Sequence, residues 1–203
     1  MRIIAGKWRS RKIDWPTSGA TRPITDRVRE ALFDVLGTRW GTPGELPALN
    51  VADVFCGGGS LGIEALSRGA ARACFFDRGR DALRVLRANL DRLQAGPEAV
   101  ILGGDIWRRG VRPPEDHCPL DLVFLDPPFP DTRDVTPRGK LDDLLRRLGA
   151  SAAVSDDTLI VLRTEQKQPL PDGLGRCWRP LERREYGRNV LDLLVRTQPG
   201  ADR

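Results

Sequence analysis

The sequence predicts an α/β protein built on a mostly parallel β-sheet with helices on both faces. From residue 49 onward, short apolar runs alternate with segments of helical periodicity, the pattern of successive βαβ units. A glycine cluster, Gly57-Gly58-Gly59, sits where the first run gives way to the first of those helices. The last two strand-like runs flank Tyr186-Gly187-Arg188-Asn189 with no helix between them, so an antiparallel hairpin should close the sheet.

Taken in order, residues 2–14 hold two strand-like pieces, 2–5 and 11–14, around a Gly-Lys-Trp-Arg-Ser turn. They predict a small basic β-hairpin. Pro16, Ser18, Gly19 and Pro23 mark a loop. Thr25 can cap a helix in which Val28, Ala31, Leu32, Val35 and Leu36 recur at helical spacing. Gly37 falls where a helix terminator belongs. After a linker at 41–48, strands are expected at 49–55, 71–77, 98–102, 120–126 and 158–163. Helices are expected at 60–68, at 81–93 and near 141–148, the first two stopped by Gly69 and Gly96. The closing hairpin spans about 177–184 and 190–196, and the final QPGADR is expected to fray. Two units follow: residues 1–40 as a basic hairpin and helix, and residues 48–198 as the sheet domain.

Composition narrows the function. No apolar run reaches membrane-spanning length. The opening MRIIAGKWRSRK is charged throughout with no export segment behind it, so a cytoplasmic protein is expected. Cys56, Cys74, Cys118 and Cys177 are too dispersed for a zinc site, and the single histidine, His117, lies in a Pro-rich stretch. No metal is expected. One histidine also argues against His-based nucleophilic or metal hydrolysis. Residues 1–29 carry eight basic side chains (Arg2, Lys7, Arg9, Arg11, Lys12, Arg22, Arg27 and Arg29) against Asp14 and Asp26. That places the chain's whole positive excess at one end and points to a polyanionic partner; a solvated basic tail is the alternative.

Chemistry concentrates at three strand ends. The segment Asp53 to Gly62, DVFCGGGSLG, leaves a strand and enters a helix. Glycines there let a ligand approach the backbone, and the helix start offers free N–H groups. Asp77 ends the next strand, 20 residues after Gly57, where a nucleotide-binding unit keeps a carboxylate for ribose hydroxyls. The glycine spacing also fits a dinucleotide enzyme. Leu125-Asp126-Pro127-Pro128-Phe129 separates the two readings. Two prolines stiffen the turn and remove two donors, leaving the Asp126 carboxylate and the Pro127 carbonyl as acceptors with no local partner. With Phe129 beside them they suit a flat substrate bearing an amino group. An Asp-Pro turn with a core Phe is the bland reading.

These residues resemble a known family. The D-P-P-F box is similar to that of amino-group methyltransferases, and 2–12, 21–36 (TRPITDRVREALFDVL) and 55–70 resemble the RsmD family of 16S rRNA guanine-N2 methyltransferases. The resemblance implies a Rossmann-like class I methyltransferase fold with seven strands, and S-adenosylmethionine as cofactor. Gly57, Gly59 and Gly62 would hold its methionine end, Asp77 the ribose, and Asp105 would lie near the adenine amine. Phe55, Leu61, Arg78 and Ile106 would complete the cofactor site. Asp126, Pro127, Pro128 and Phe129 would be catalytic, the eight cations of residues 1–29 would bind RNA, and the partner would be ribosomal RNA or the small subunit, met by a monomer. Because the glycine loop lies in a separate part of the chain, loss of Arg9, Arg11 and Lys12 is expected to leave cofactor binding untouched, whereas the helix with Arg22, Arg27 and Arg29 is a candidate to close over the cofactor as well. Two alternatives remain: another amine (DNA adenine N6 or a protein glutamine), or a non-catalytic RNA-binding module.

Overall fold

The computed structural model describes residues 1–17, 24–171 and 174–197. The final QPGADR and Arg22 lie outside the described residues. The elements are α1 (Asp26–Arg39), β1 (Asn50–Val54), α2 (Ser60–Arg68), β2 (Arg72–Asp77), α3 (Arg80–Leu93), β3 (Ala99–Gly103) and α4 (Ile106–Arg109). There follow β4 (Leu120–Leu125), α5 (Phe129–Thr132), α6 (Lys140–Gly149), β5 (Val154–Glu165), β6 (Trp178–Tyr186) and β7 (Asn189–Arg196).

One seven-stranded sheet has the order β3-β2-β1-β4-β5-β7-β6. Strands β1 to β5 pair in parallel, and β7 inserts antiparallel between β5 and β6. Strand-by-strand alternation separates two cores. Val51, Phe75, Phe124, Val161 and Leu191 pack on one face with Leu32, Phe33, Ile63 and Leu86 from α1, α2 and α3. Val54, Phe76, Leu125 and Leu162 pack on the other with Leu141, Leu144 and Leu148 of α6. Both faces are apolar because both are covered, as a parallel sheet requires. The chain order reverses between β1 and β4, whose last residues, Val54 and Leu125, are direct partners. The glycine loop and the D-P-P-F turn therefore emerge side by side, where open α/β sheets bind ligands.

The expected N-terminal β-hairpin is reduced to one antiparallel bridge, Arg2 with Lys12. The reason is where its donors go. Ile4 and Ala5 donate their backbone N–H groups to the Glu64 carboxylate at 2.9 and 3.0 Å, and Trp8 donates to Ser67 Oγ at 3.0 Å. Ile3 and Ile13 donate across the two arms, to the Arg11 and Met1 carbonyls at 3.0 and 3.1 Å, while the donors on the other edge bond to α2. The segment covers the outer side of α2, which explains why all nine residues of that helix are buried. Ile3, Trp8 and Ile13 join the same core as β1 and α1, so residues 1–40 pack into the sheet domain.

Helix α1 starts as predicted, with the Thr25 hydroxyl accepting from Val28 N–H, but Gly37 does not end it. The helix runs on to Arg39, and Trp40 N–H caps the Leu36 carbonyl. The glycine serves close approach instead: a Cβ there would stand 2.7 Å from the Thr42 carbonyl oxygen. Strand β5 is longer than expected because Val154 pairs with Leu120 before a register shift, and Glu165 pairs with Asn189. No helix among the described residues is long and apolar enough to cross a membrane.

Candidate active site

The site is a row of strand ends at one level of the sheet. Asp53 and Asp77 lie on β1 and β2, Asp126 follows β4, and Arg163 lies on β5 beside Leu162, the partner of Leu125.

The glycine loop supplies the first part. Phe55, Gly57 and Gly59 all take left-handed backbone, with φ of 63°, 54° and 82°, a region that costs a non-glycine residue. Phe55 bears that cost with its ring against Trp107, centroids 4.8 Å apart. Leu61 and Gly62 lie in the buried first turn of α2. A Cβ at Gly62 would stand 2.4 Å from the Phe75 ring, so the helix can sit this close to β2 only with glycine there. Asp77 grips the loop: Oδ2 accepts from Gly57 N–H at 2.9 Å and Oδ1 from Gly79 N–H at 2.7 Å. Arg78 reaches Asp105 at 3.7 Å. Asp105 caps α4 by accepting from Trp107 N–H at 3.0 Å, and Ile106 is buried behind it. A cavity of about 540 Å³ opens beside these residues, lined by Phe76, Gly103, Gly104, Asp105, Ile106 and Arg109.

The D-P-P-F turn supplies the second part. Asp126 N–H closes onto the Val54 carbonyl at 3.1 Å, Pro128 precedes the short helix α5, and Phe129 opens it. Asp126, with no group local to its turn to satisfy its carboxylate, meets one from a distant strand. Its Oδ1 accepts from Arg163 Nε at 2.6 Å, with the two side chains only 15% and 4% exposed. Burial pushes the Asp126 carboxyl above the ordinary carboxylate range, and the Arg163 guanidinium pulls it back. The Arg163 guanidinium carbon also stands 5.1 Å from the Phe129 ring centroid.

Sequence reasoning passed over several side chains. Asp53 lies wholly inside, its Oδ2 accepting from Gly62 N–H at 2.8 Å. Burial pushes its carboxyl up to about 8, with Asp126 and Asp77 adding to the rise and the Gly62 and Leu61 N–H groups opposing it. Arg163 carried a signal, a charge ending an apolar strand run, which demands a partner. Glu64, among Ile63, Ala65 and Leu66, carried the same signal on a helix. Trp15 carried none. Its ring lies on the glycine loop, where a Cβ on Gly57 would stand 3.1 Å from Trp15 Cη2. Asn89 ties the same region together, its Nδ2 donating to the carbonyls of Asp14 and Gly58 at 3.0 Å each. Trp15 and Asp14, which follow the basic segment, are therefore in contact with the region of the glycine loop.

The eight cations of residues 1–29 divide. Arg2, Lys7, Arg9, Arg11, Lys12 and Arg27 are exposed, although Lys7 also reaches Glu98 at 3.4 Å and Arg11 donates to the Arg92 carbonyl. Arg29 is corrected: it is wholly buried, bonded to Asp26 at 3.0 Å, 3.5 Å from Glu64, and donating to the Arg2 carbonyl. It holds the fold and offers nothing to a solvent-borne partner. Among the described residues, no group of three or more His, Cys, Asp or Glu side chains could hold a metal ion.

Comparison with known proteins places this geometry. Residues 1–195 match the family described as "Conserved hypothetical protein 95". The ribosomal RNA small subunit methyltransferase D of Escherichia coli K12 is 36% identical over 171 residues, covering 84% of this chain and 78% of that protein. The solved structure of Escherichia coli yhhF superposes with a TM-score of 0.72 at 32% identity, covering 97% of both chains. A hypothetical protein of Thermus thermophilus superposes with a TM-score of 0.69 at 30% identity, covering 97% of this chain and 99% of that one. The ribosomal protein L11 methylase of Lactobacillus delbrueckii subsp. bulgaricus, at 16% identity and a TM-score of 0.58, covers 89% and 92% of the two chains and shares the fold. The sheet order, with its one reversed strand, is thus the Rossmann-like methyltransferase fold, and the chain belongs to the RsmD family.

Proposed function

We propose that the chain transfers a methyl group from S-adenosylmethionine to the exocyclic N2 amine of a guanine in 16S ribosomal RNA, in the cytoplasm. One observation carries the reading: a buried carboxylate, a carbonyl followed by proline and an aromatic ring stand beside a glycine loop at the switch point of the sheet. The name of the Escherichia coli relative supports ribosomal RNA as the acceptor.

The residues present fit the cofactor. Two acceptor positions of the Asp77 carboxylate are taken by Gly57 and Gly79, and a carboxylate has about four, so ribose hydroxyls can still be held. Phe55, Gly57, Gly59, Leu61 and Gly62 would cradle the methionine end. Asp105 and Ile106 would meet the base end, beside the cavity at β3, with Arg78 between them and Asp77. When bound, the cofactor supplies an electrophilic methyl group on a sulfonium.

The rest is the work of this chain's own side chains. Asp126 and the Pro127 carbonyl accept the two amine hydrogens, which favours a pyramidal nitrogen with its lone pair free for the methyl group. Pro128 holds the turn, and Phe129 receives the base plane. Positioning and fixed charge do the work, with no strong general base required. The guanine has to leave its stack to reach Phe129. The exposed Arg2, Lys7, Arg9, Arg11, Lys12 and Arg27 hold phosphates, which position RNA without reading it.

The test is incubation with methyl-labelled S-adenosylmethionine and separated ribosomal RNAs or subunits, followed by mapping of the modified nucleoside. Label in N2-methylguanosine of small-subunit RNA is expected, and Asp126→Ala should cut turnover about a hundredfold or more while cofactor affinity holds. Label confined to adenine N6 or to protein would overturn the reading.

A further inference from the structure

We infer that Arg163 is a positioning residue for methyl transfer, aiming the Asp126 carboxylate and seating the Phe129 ring. The inference rests on the role proposed for Asp126.

The parallel register makes the contact unavoidable. Leu125 pairs with Leu162, so the next residues, Asp126 and Arg163, stand side by side. Leu122 and Phe124 share one core face with Leu159 and Val161, and by strand alternation the Asp and Arg side chains emerge on that same side. There the contacts of the guanidinium include these: Nε donates to Asp126 Oδ1 at 2.6 Å, Nη1 donates to Asn189 Oδ1 at 3.2 Å, and the guanidinium carbon faces the Phe129 ring at 5.1 Å. Two of those three partners belong to the D-P-P-F box. The third, at the start of β7, anchors the arginine itself.

A structural role alone explains this poorly. A buried ion pair is a weak source of stability, since apolar residues of similar volume commonly do as well. What a guanidinium adds is geometry: a planar fork sets the plane of the carboxylate it binds, and its flat face stacks on an aromatic ring. Lysine would supply the charge without the fork or the face. The charge matters too. The Asp126 side chain is 15% exposed, burial pushes its carboxyl up, and the Arg163 guanidinium is the cation that opposes that rise.

The experiment uses the full chain in single-turnover methyl transfer to small-subunit ribosomal RNA, across pH, with R163K and R163M. Both variants should lower the transfer rate constant by about a hundredfold, the scale expected when a reacting group is misplaced by about an ångström. Affinities for S-adenosylmethionine and RNA should stay near wild type. In R163M the acid limb of the rate profile should also move up, because burial then acts on Asp126 unopposed; in R163K it should not. Wild-type rates in both variants, or a loss matching only the fraction unfolded with the pH profile unmoved, would refute the inference. Should R163M fail to fold, R163K decides alone, a folded protein with the wild-type rate constant counting against it. D126A separates the two levels: if it is inactive while the Arg163 variants are normal, only the positioning role fails, whereas a fully active D126A removes the mechanism beneath it.

Discussion

Replacing Glu64 by Leu should cost the protein much of its stability. The carboxylate is wholly buried and accepts from Arg68 Nε at 2.8 Å and from the backbone N–H groups of Ile4 and Ala5, with Arg29 Nε 3.5 Å away. Both arginine side chains are buried as well. Removing one partner of a buried pair leaves an uncompensated charge and costs about 3–5 kcal/mol. Two orphaned backbone donors add roughly 1 kcal/mol each. The sum, about 5–7 kcal/mol, rivals the whole stability of a typical domain, about 5–15 kcal/mol. Urea unfolding followed by circular dichroism measures it. Glu64→Gln, which keeps an acceptor oxygen, should lose less. The triple change Glu64→Leu, Arg29→Met and Arg68→Met should recover much of the loss, because no buried charge then remains. A Glu64→Leu protein within about 1 kcal/mol of wild type would show that the cluster holds nothing together.

Three further outcomes are expected. The folded state keeps the Asp53 carboxyl protonated up to about 8, whereas an unfolded chain releases that proton near 4. The stability of wild type relative to Asp53→Asn should therefore fall as pH rises from about 4 to about 8, by up to about 1.4 kcal/mol per unit, and level off above; a flat difference across that range would contradict the assignment. Asp77→Ala should weaken S-adenosylmethionine binding by roughly 1–3 kcal/mol, read by calorimetry, and an unchanged affinity would remove Asp77 from the cofactor site. Replacing Arg9, Arg11 and Lys12 together by Ala should flatten the slope of log K for RNA against log salt by about two. An unchanged slope would make these cations a solubility device.

What was legible in the sequence was whatever local periodicity or glycine placement controls. Helix α2 was bounded correctly at both ends because Gly59 and Gly69 flank it, and the order of alternating strands and helices followed from apolar spacing. Partners far apart along the chain were illegible. Nothing near Asp126 announces that Arg163 lies against it, and Arg29 looks like one more cation among eight until Glu64 is seen beneath it. The hairpin is short for the same reason: strand propensity at Ile3 and Ile4 was real, but the donors of Ile4 and Ala5 had a stronger claimant about 60 residues away. Gly37 was misjudged because a glycine required for close approach looks, in sequence, like one required for a turn.

The insertion of β7 between β5 and β6 has a consequence for biosynthesis. A ribosome delivers every parallel strand, the glycine loop and the D-P-P-F turn before it delivers Asn189, the first residue of β7 and the anchor of Arg163. Until then β5 is a bare sheet edge, a liability that proteins ordinarily cover. One late strand covers that edge and brings Asn189 to Arg163. A chain interrupted before Asn189 therefore has the glycine loop and the D-P-P-F turn but lacks both the cover of β5 and the Asn189 contact to Arg163.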